Sequence, residues 1–349
     1  MFKNFHNKVR FKINSVINRT LPKYFYRSGI LSTLYYSIFS TTFRREHQAV
    51  LAGKVRHIKN EENYFFLVRN THRIEKGLTM KPLKDVFAKG YIAETIDTFA
   101  KVWNNPDYAN FHQMKWFKDV LEEYFNTVQK DEFLLKCEKK FKKTLSDSEL
   151  KGKHVNTFSR PYLRNFEKHT SISYEQFYEL TRQRRSVRWF LNKTVPREYI
   201  DKAILAANQS PSACNRQPFQ YKIFDNVDLV EMGVKLPMGT VGYEHNIPVF
   251  IVVVGNLDAY DSERDRHLIY IDGSLANMAL MLALETLGLS SCSINWPDIE
   301  SRERKMDKFL KLEKHQRPIM CLGVGYPDPE GKVAFSEKRN LEQLRTYNK

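Results

Sequence analysis

Apolar positions recur at two different spacings along this 349-residue chain, and the change between them divides it. From about residue 46 to 145 they return every three or four positions, as in Ala93–Val102 and the Phe-spaced run Trp116–Phe141, a helical period. Residues 146–170 turn polar around Gly152 and Pro161 and predict a linker or irregular crossover. After Ser171 the texture is mixed. Ser173 with Gln176 three positions on forms a capping box for a helix running to about Gln183. Thr194 as cap and Pro196 in the first turn predict a second helix reaching Ala207. Phe219–Phe224 alternates as a half-buried strand does, whereas Pro248–Val254 is continuously apolar and suits a strand covered on both faces. Asp272–Leu287 predicts a long, nearly all-apolar helix of a core or a dimer seam, and Ser290–Ile294 and Pro318–Val324 predict two further core strands. Strands separated by helices make a layered α+β or α/β fold.

Composition supports a folded globular chain, with 42% hydrophobic and 13% aromatic residues. The net charge of +16 is uneven: residues 1–60 hold 12 Lys or Arg against the single acid Glu46. Basic Arg10, Lys12, Arg19, Lys23 and Arg27 alternate with Phe11, Ile13, Val16, Ile17, Leu21, Tyr24 and Phe25. That pattern suits either an amphipathic helix in a lipid headgroup layer or a basic cap on the folded domain. No nucleic-acid recognition motif is present, so no nucleic-acid partner is expected. No secretory signal is recognised, and no apolar run approaches the roughly 20 residues that span a bilayer. Four dispersed cysteines, Cys137, Cys214, Cys292 and Cys321, form no metal-type pair, and a reduced, cytoplasmic setting is expected, with the membrane surface as a peripheral site.

Three stretches carry candidate chemistry. Arg184-Arg185-Ser186-Val187-Arg188 places guanidinium forks and a hydroxyl within five residues, a donor set matched to phosphate oxygens. Ser210-Pro211-Ser212-Ala213-Cys214-Asn215-Arg216-Gln217-Pro218 is a proline-bracketed loop whose Asn215 and Gln217 amides both donate and accept. Gly288–Pro297 is a strand ending at Asn295 and Trp296. A fourth stretch, His72-Arg73-Ile74-Glu75-Lys76-Gly77-Leu78, reads as a charged helix end with local ion pairs and a glycine C-cap. Its functional alternative is the substrate-side wall of a site.

Taken in order, with Asp272 and Ala276-Asn277-Met278 in the long helix and Gly323-Val324-Gly325-Tyr326-Pro327 ahead of Lys338-Arg339, the first three stretches resemble the nitroreductase family over residues 173–345. The resemblance implies an α+β fold of three layers, a central, mainly antiparallel sheet flanked by helices, in residues 171–349, with residues 1–170 a basic, mainly helical N-terminal region. It implies FMN, its phosphate and ribityl chain held by Arg184, Arg185, Ser186 and Arg188 with late help from Lys338 and Arg339. Pro211, Ser212, Ala213, Asn215 and Gln217 are then the loop that reaches the flavin, and the backbone of Asn295 and Trp296 lies near its N5 edge. A bulky Trp296 is expected to narrow the substrate space, and Arg216 to stabilise negative charge on the ring. No acid–base residue is implied. The activity implied is electron transfer from NAD(P)H to a small electron-poor or unsaturated substrate by ping-pong turnover, in a homodimer with FMN at the interface. An oxygen-using or fragmentation reaction of the same superfamily is one alternative. A membrane- or polyanion-associated binding protein acting through its basic N-terminus is another.

Overall fold

The computed structural model describes residues 13, 16–60, 62–146, 159–165 and 167–348. The basic positions Arg10 and Lys12, and most of the expected linker, lie outside them.

After short turns at Val16–Thr20 and Pro22–Phe25 come α1 (Gly29–Ile38), α2 (Arg44–Lys59), α3 (Tyr64–Leu78), α4 (Ile92–Trp103), α5 (Gln113–Thr127) and α6 (Glu132–Ser146). The amphipathic faces of α3 to α6 close on one core that includes Leu67, Ile74, Phe99, Phe117, Leu121, Tyr124 and Phe141. The helical spacing expected over Trp116–Phe141 is realised as two helices. It breaks at Val128, and Asp131 restarts it by accepting the Leu134 N–H at 3.0 Å. Gly77 is not the expected C-cap. It sits inside α3, where an added Cβ would stand 2.3 Å from the Phe87 ring, so glycine is needed for the close approach.

The C-terminal half contributes α7 (Tyr174–Gln183), α8 (Arg197–Ala207), β1 (Phe219–Phe224), α9 (Val227–Val234), β2 (Val249–Asn256), α10 (Leu268–Thr286), β3 (Ser290–Asn295), α11 (Glu300–Leu310) and β4 (Gln316–Gly325). The strands form one antiparallel sheet in the order β1-β2-β4-β3. Strand period sorts β2 to two cores: Val249, Ile251 and Val253 pack with α8 and α10, while Phe250, Val252 and Val254 pack with α9 and α11. That is the expected layering, a mixed fold with helices on both faces of the sheet. The Ser173–Gln176 capping box forms as expected. The next helix starts later than expected, with Pro196 as its cap and no side-chain cap bond.

By length and composition Glu263–Thr286 is apolar enough to cross a membrane, contrary to the expectation that no such run exists. In this fold α10 packs one face against the sheet through Ile269, Ala276, Leu280 and Leu284, and leaves Ile271, Leu275 and Met278 exposed.

The two halves are joined through α2. Ala49 enters the core of the sheet, and an added Cβ on Gly53 would stand 2.6 Å from the Leu257 backbone. Around that contact run ion pairs from Arg45 to Glu300 (2.8 Å) and Asp307 (2.6 Å), Lys54 to Glu263 (2.8 Å), and Arg56 to Asp258 (3.1 Å) and Glu313. Arg45, Lys54 and Arg56 of α2 are therefore engaged with acids more than 200 positions away.

Candidate active site

The segment 184–191 is built as an addition to the sheet. Ser186 bridges Ser291 in parallel, the Val187 N–H donates to Ser291 O at 3.1 Å, and Leu191 N–H donates to Tyr326 O at 2.9 Å. Of the four positions expected to hold a phosphate, Ser186 is thus fixed against the edge of β3, with the arginines on either side of it. Arg184 and Ser291 each keep a buried polar atom, Nε and Oγ, without a hydrogen-bond partner. Such a group costs about 1–3 kcal/mol in a finished structure. Glu285 lies in the field of Arg184; burial raises its pKa, against the Ser290 hydroxyl and the Arg184 charge. Arg185 donates to Arg184 O at 3.2 Å, and Arg188 is exposed, 5.8 Å over the Tyr243 ring.

The loop 210–218 is preset by other means than its prolines. Cys214, Asn215 and Gln217 all have left-handed backbone, with φ of 54°, 55° and 49°. Each such residue costs about 1–2 kcal/mol outside glycine, and that strain persists only where the surroundings impose it. They do so here. Asp272, the lone carboxylate in its stretch of α10, accepts the Ala213 N–H at 2.9 Å, Ser212 Oγ accepts the Gln217 N–H at 3.1 Å, and α3 packs on the 213–215 turn. Burial raises the pKa of Asp272, opposed by that N–H bond and by Arg216. Pro211 is exposed, while Ser212, Ala213, Asn215 and Gln217 are half-buried.

Two side chains point elsewhere than expected. Trp296 is buried in the core under β3, its indole N–H donating to Glu303 at 2.6 Å, so its ring does not narrow a space above a flavin, and only its backbone remains to line one. Arg216 is buried with its guanidinium 5.0 Å over the Tyr260 ring, in the field of Asp272 and Asp261, so its charge is already opposed within the chain. Local sequence carries no signal for either direction, which long-range packing sets. Asn295 is exposed at the end of β3. Lys338 and Arg339 are exposed on the C-terminal tail and share no hydrogen bond or ion pair with residues 184–188 among the described residues. Sequence reasoning missed the anchoring role of Asp272 on the loop; an acid four positions into a nearly all-apolar helix, whose other acid is Glu285 near its end, was the available signal.

The charged stretch of α3 is satisfied locally. His72 stands 3.6 Å from Glu75, Glu75 accepts the Trp116 indole N–H at 3.3 Å, and Arg73 stacks 3.8 Å from the Tyr91 ring. Glu244 and His245 line a separate hollow of about 740 Å³ with Phe190, Lys193 and Glu231. No cluster of metal-ligating side chains occurs among the described residues.

The layered sheet and the strand-bound Arg/Ser segment coincide with the residues a family comparison selects. The nitroreductase family model matches residues 181–236 and 239–326, and this C-terminal half belongs to the nitroreductase family. It is similar to human iodotyrosine deiodinase 1, 25% identical over 198 residues that cover 49% of this chain and 68% of the human protein. The pig iodotyrosine deiodinase 1 is 27% identical over the same length, with the same coverage. Among solved structures, an FMN-dependent nitroreductase from Clostridium difficile R20291 superposes with a TM-score of 0.42 at 21% identity, over 48% of this chain and 98% of that one.

Proposed function

We propose that the chain is an FMN-dependent oxidoreductase that takes electrons from NADH or NADPH and passes them to a small electron-poor or unsaturated substrate in ping-pong fashion. The observation that carries this reading is the segment 184–188, bridged to β3 at Ser186, with buried Arg184 Nε and Ser291 Oγ lacking partners. A guanidinium and hydroxyl set of this kind fits a phosphate dianion, so the donors present suit FMN. When bound, FMN supplies the electron acceptor and donor of the reaction. Arg184, Arg185, Ser186 and Arg188 hold its phosphate end. Asp272, through the Ala213 N–H, fixes the loop that presents the Asn215 and Gln217 amides, and the backbone at Asn295 and Trp296 closes the far side. The role of these groups is positioning, and no side chain is assigned as acid or base.

The homodimer belongs to the same proposal. Helix α7 buries none of its residues, α10 exposes Ile271, Leu275 and Met278, and the tail bearing Lys338 and Arg339 stands free of the 184–188 segment. A second copy covering these surfaces would bring the missing cations to the phosphate. We place the protein in the cytoplasm, in keeping with four unpaired cysteines.

Anaerobic mixing of purified protein with NADH or NADPH tests the electron donor. The visible flavin band should bleach with one of the two and return when a nitroaromatic, or the iodotyrosine that names the matched relatives, is added. Bleaching by neither nicotinamide overturns the donor assignment. Recovery with oxygen alone favours the oxygen-using reaction.

A further inference from the structure

We propose that residues 16–43 lay this protein on an anionic lipid surface, with α1 lying in the plane of the headgroup–acyl boundary. Apart from two tyrosines, the sequence of α1, GILSTLYYSI, carries no ionisable side chain, and most of its large apolar groups face outward: Ile30 is 77% exposed and Ile38 65%, with Leu31, Leu34, Tyr36 and Phe39 also exposed. The segment is nevertheless ordered from within. Tyr35 is buried, packs against the Phe25 and Phe39 rings, and donates its hydroxyl to Ile17 O at 2.9 Å. That small hub sets the shape of the segment without covering its outer face.

The serine and threonine hydroxyls of α1 are already spent. Thr33 Oγ1 donates to Gly29 O at 2.9 Å, Ser37 Oγ to Thr33 O at 2.8 Å, and Ser32 Oγ to Phe25 O at 3.1 Å. A hydroxyl transferred to an apolar layer without a partner is costly, and these hydroxyls have partners on their own backbone. Ten residues give a helix about 15 Å long, half the hydrocarbon thickness of a bilayer, so α1 can lie in the boundary but cannot cross it.

Charge selects the occupant. Residues 1–45 hold nine Lys or Arg and no acid. Unlike Arg45, Lys54 and Arg56 of α2, the cations Arg19, Lys23 and Arg27 make no ion pair among the described residues. An apolar helix bordered by unpaired cations complements an anionic membrane, where each basic residue near the surface is worth roughly fivefold in partitioning. A second copy of the same segment would bring like charge against like. A nucleic acid would leave the apolar face in water.

The test uses the full chain and vesicles of phosphatidylcholine with or without phosphatidylglycerol. The protein should float with the phosphatidylglycerol vesicles, not with pure phosphatidylcholine, and be released by salt. The variant Ile30→Glu/Leu34→Glu/Ile38→Glu should bind roughly tenfold or more weakly, because it loses inserted apolar area and adds repelled charge. Arg19→Gln/Lys23→Gln/Arg27→Gln should lose most of the dependence on phosphatidylglycerol. To guard against misfolded variants, Tyr26→Trp gives a probe on an otherwise native surface; brominated phosphatidylglycerol should quench it beyond the quenching of the parent. Absence of flotation and of quenching overturns the proposal. So does undiminished binding by the triple-glutamate variant, or loss of self-association in that variant when the parent associates but ignores vesicles.

Discussion

The helical layer of α3–α6 and the sheet-centred C-terminal half are comparable in core quality but differ in how completely their polar groups are satisfied. In the helical layer Phe99, Phe117, Leu121 and Tyr124 are fully enclosed, and the buried side-chain atoms without partners are confined to Thr71 and Trp103 among the described residues. The C-terminal half holds Arg184, Arg216, Tyr260, Asn277, Glu285 and Ser291 in that condition, together with a strained loop and helices that bury little. Native interiors leave few such groups, and each calls for an explanation. The contrast separates a region complete in itself from one shaped to receive something else. Among the groups of the second region, Arg184 Nε and Ser291 Oγ are the ones a phosphate-bearing cofactor would satisfy. Among the described residues the first leaves Thr71 and Trp103 alone in that state.

The comparison breaks most sharply at the guanidinium groups. Replacing Arg184 and Arg339 together with Ala should weaken FMN binding by at least about a hundredfold, since a hydrogen bond to a charged group is worth about 1.5–3 kcal/mol. Flavin titration measures it, and unaltered affinity removes the phosphate assignment. The helical layer should report the opposite phenotype. Phe117→Ala should cost about 3–5 kcal/mol of stability by urea denaturation, and the flavin affinity of the folded fraction should be unchanged.

Acidification sharpens the same contrast at the seam between the regions. Hydrogen bonds from Arg45 and Lys54 hold Glu300 and Glu263 below the ordinary 4.5. A depressed carboxylate pKa contributes stability above 4.5 that is lost as pH falls through the folded-state value. His315, next to Asp258, is held neutral mainly by burial, below its ordinary 6.5, so the folded state begins to lose stability once pH falls beneath 6.5. Amide exchange of α2 should therefore accelerate in two stages, below about 6.5 and again below about 4.5, while the core of α3–α6 stays protected. Uniform exchange across α2–α6 at every pH contradicts this. The smallest effect is expected at the charged stretch of α3. Because partly exposed pairs are worth about 0–1 kcal/mol, His72→Ala with Glu75→Gln should leave turnover within a few-fold of the parent. Abolished turnover with FMN still bound would move this stretch into the site.

The sheet was legible because its signals are local and periodic. Phe219–Phe224 forms as expected, and the other strands fall within two residues of their expected starts and ends. The Ser173 capping box is a contact across three positions and was equally plain. What the sequence did not carry was direction and distant partnership. The helical run Trp116–Phe141 has continuous apolar spacing, and the break between α5 and α6 over Val128–Asp131 shows locally only in the Asp131 cap. Gly77 looks like a helix end until Phe87 is folded against it. The basic charge of α2 looked free because its acids lie in the other half of the chain. Arg216 and Trp296 occupy motif positions, yet Tyr260 and Glu303 turn their side chains inward. In the candidate site, residue types and order were readable, while the left-handed loop and its Asp272 anchor emerged only with the fold.

The central claim is that this half of the chain is completed by FMN. The most direct test is the visible absorbance of the purified protein, with mass identification of the molecule released on denaturation. The account predicts a yellow protein that releases FMN in stoichiometric amount. A colourless protein that stays colourless after incubation with FMN would contradict it.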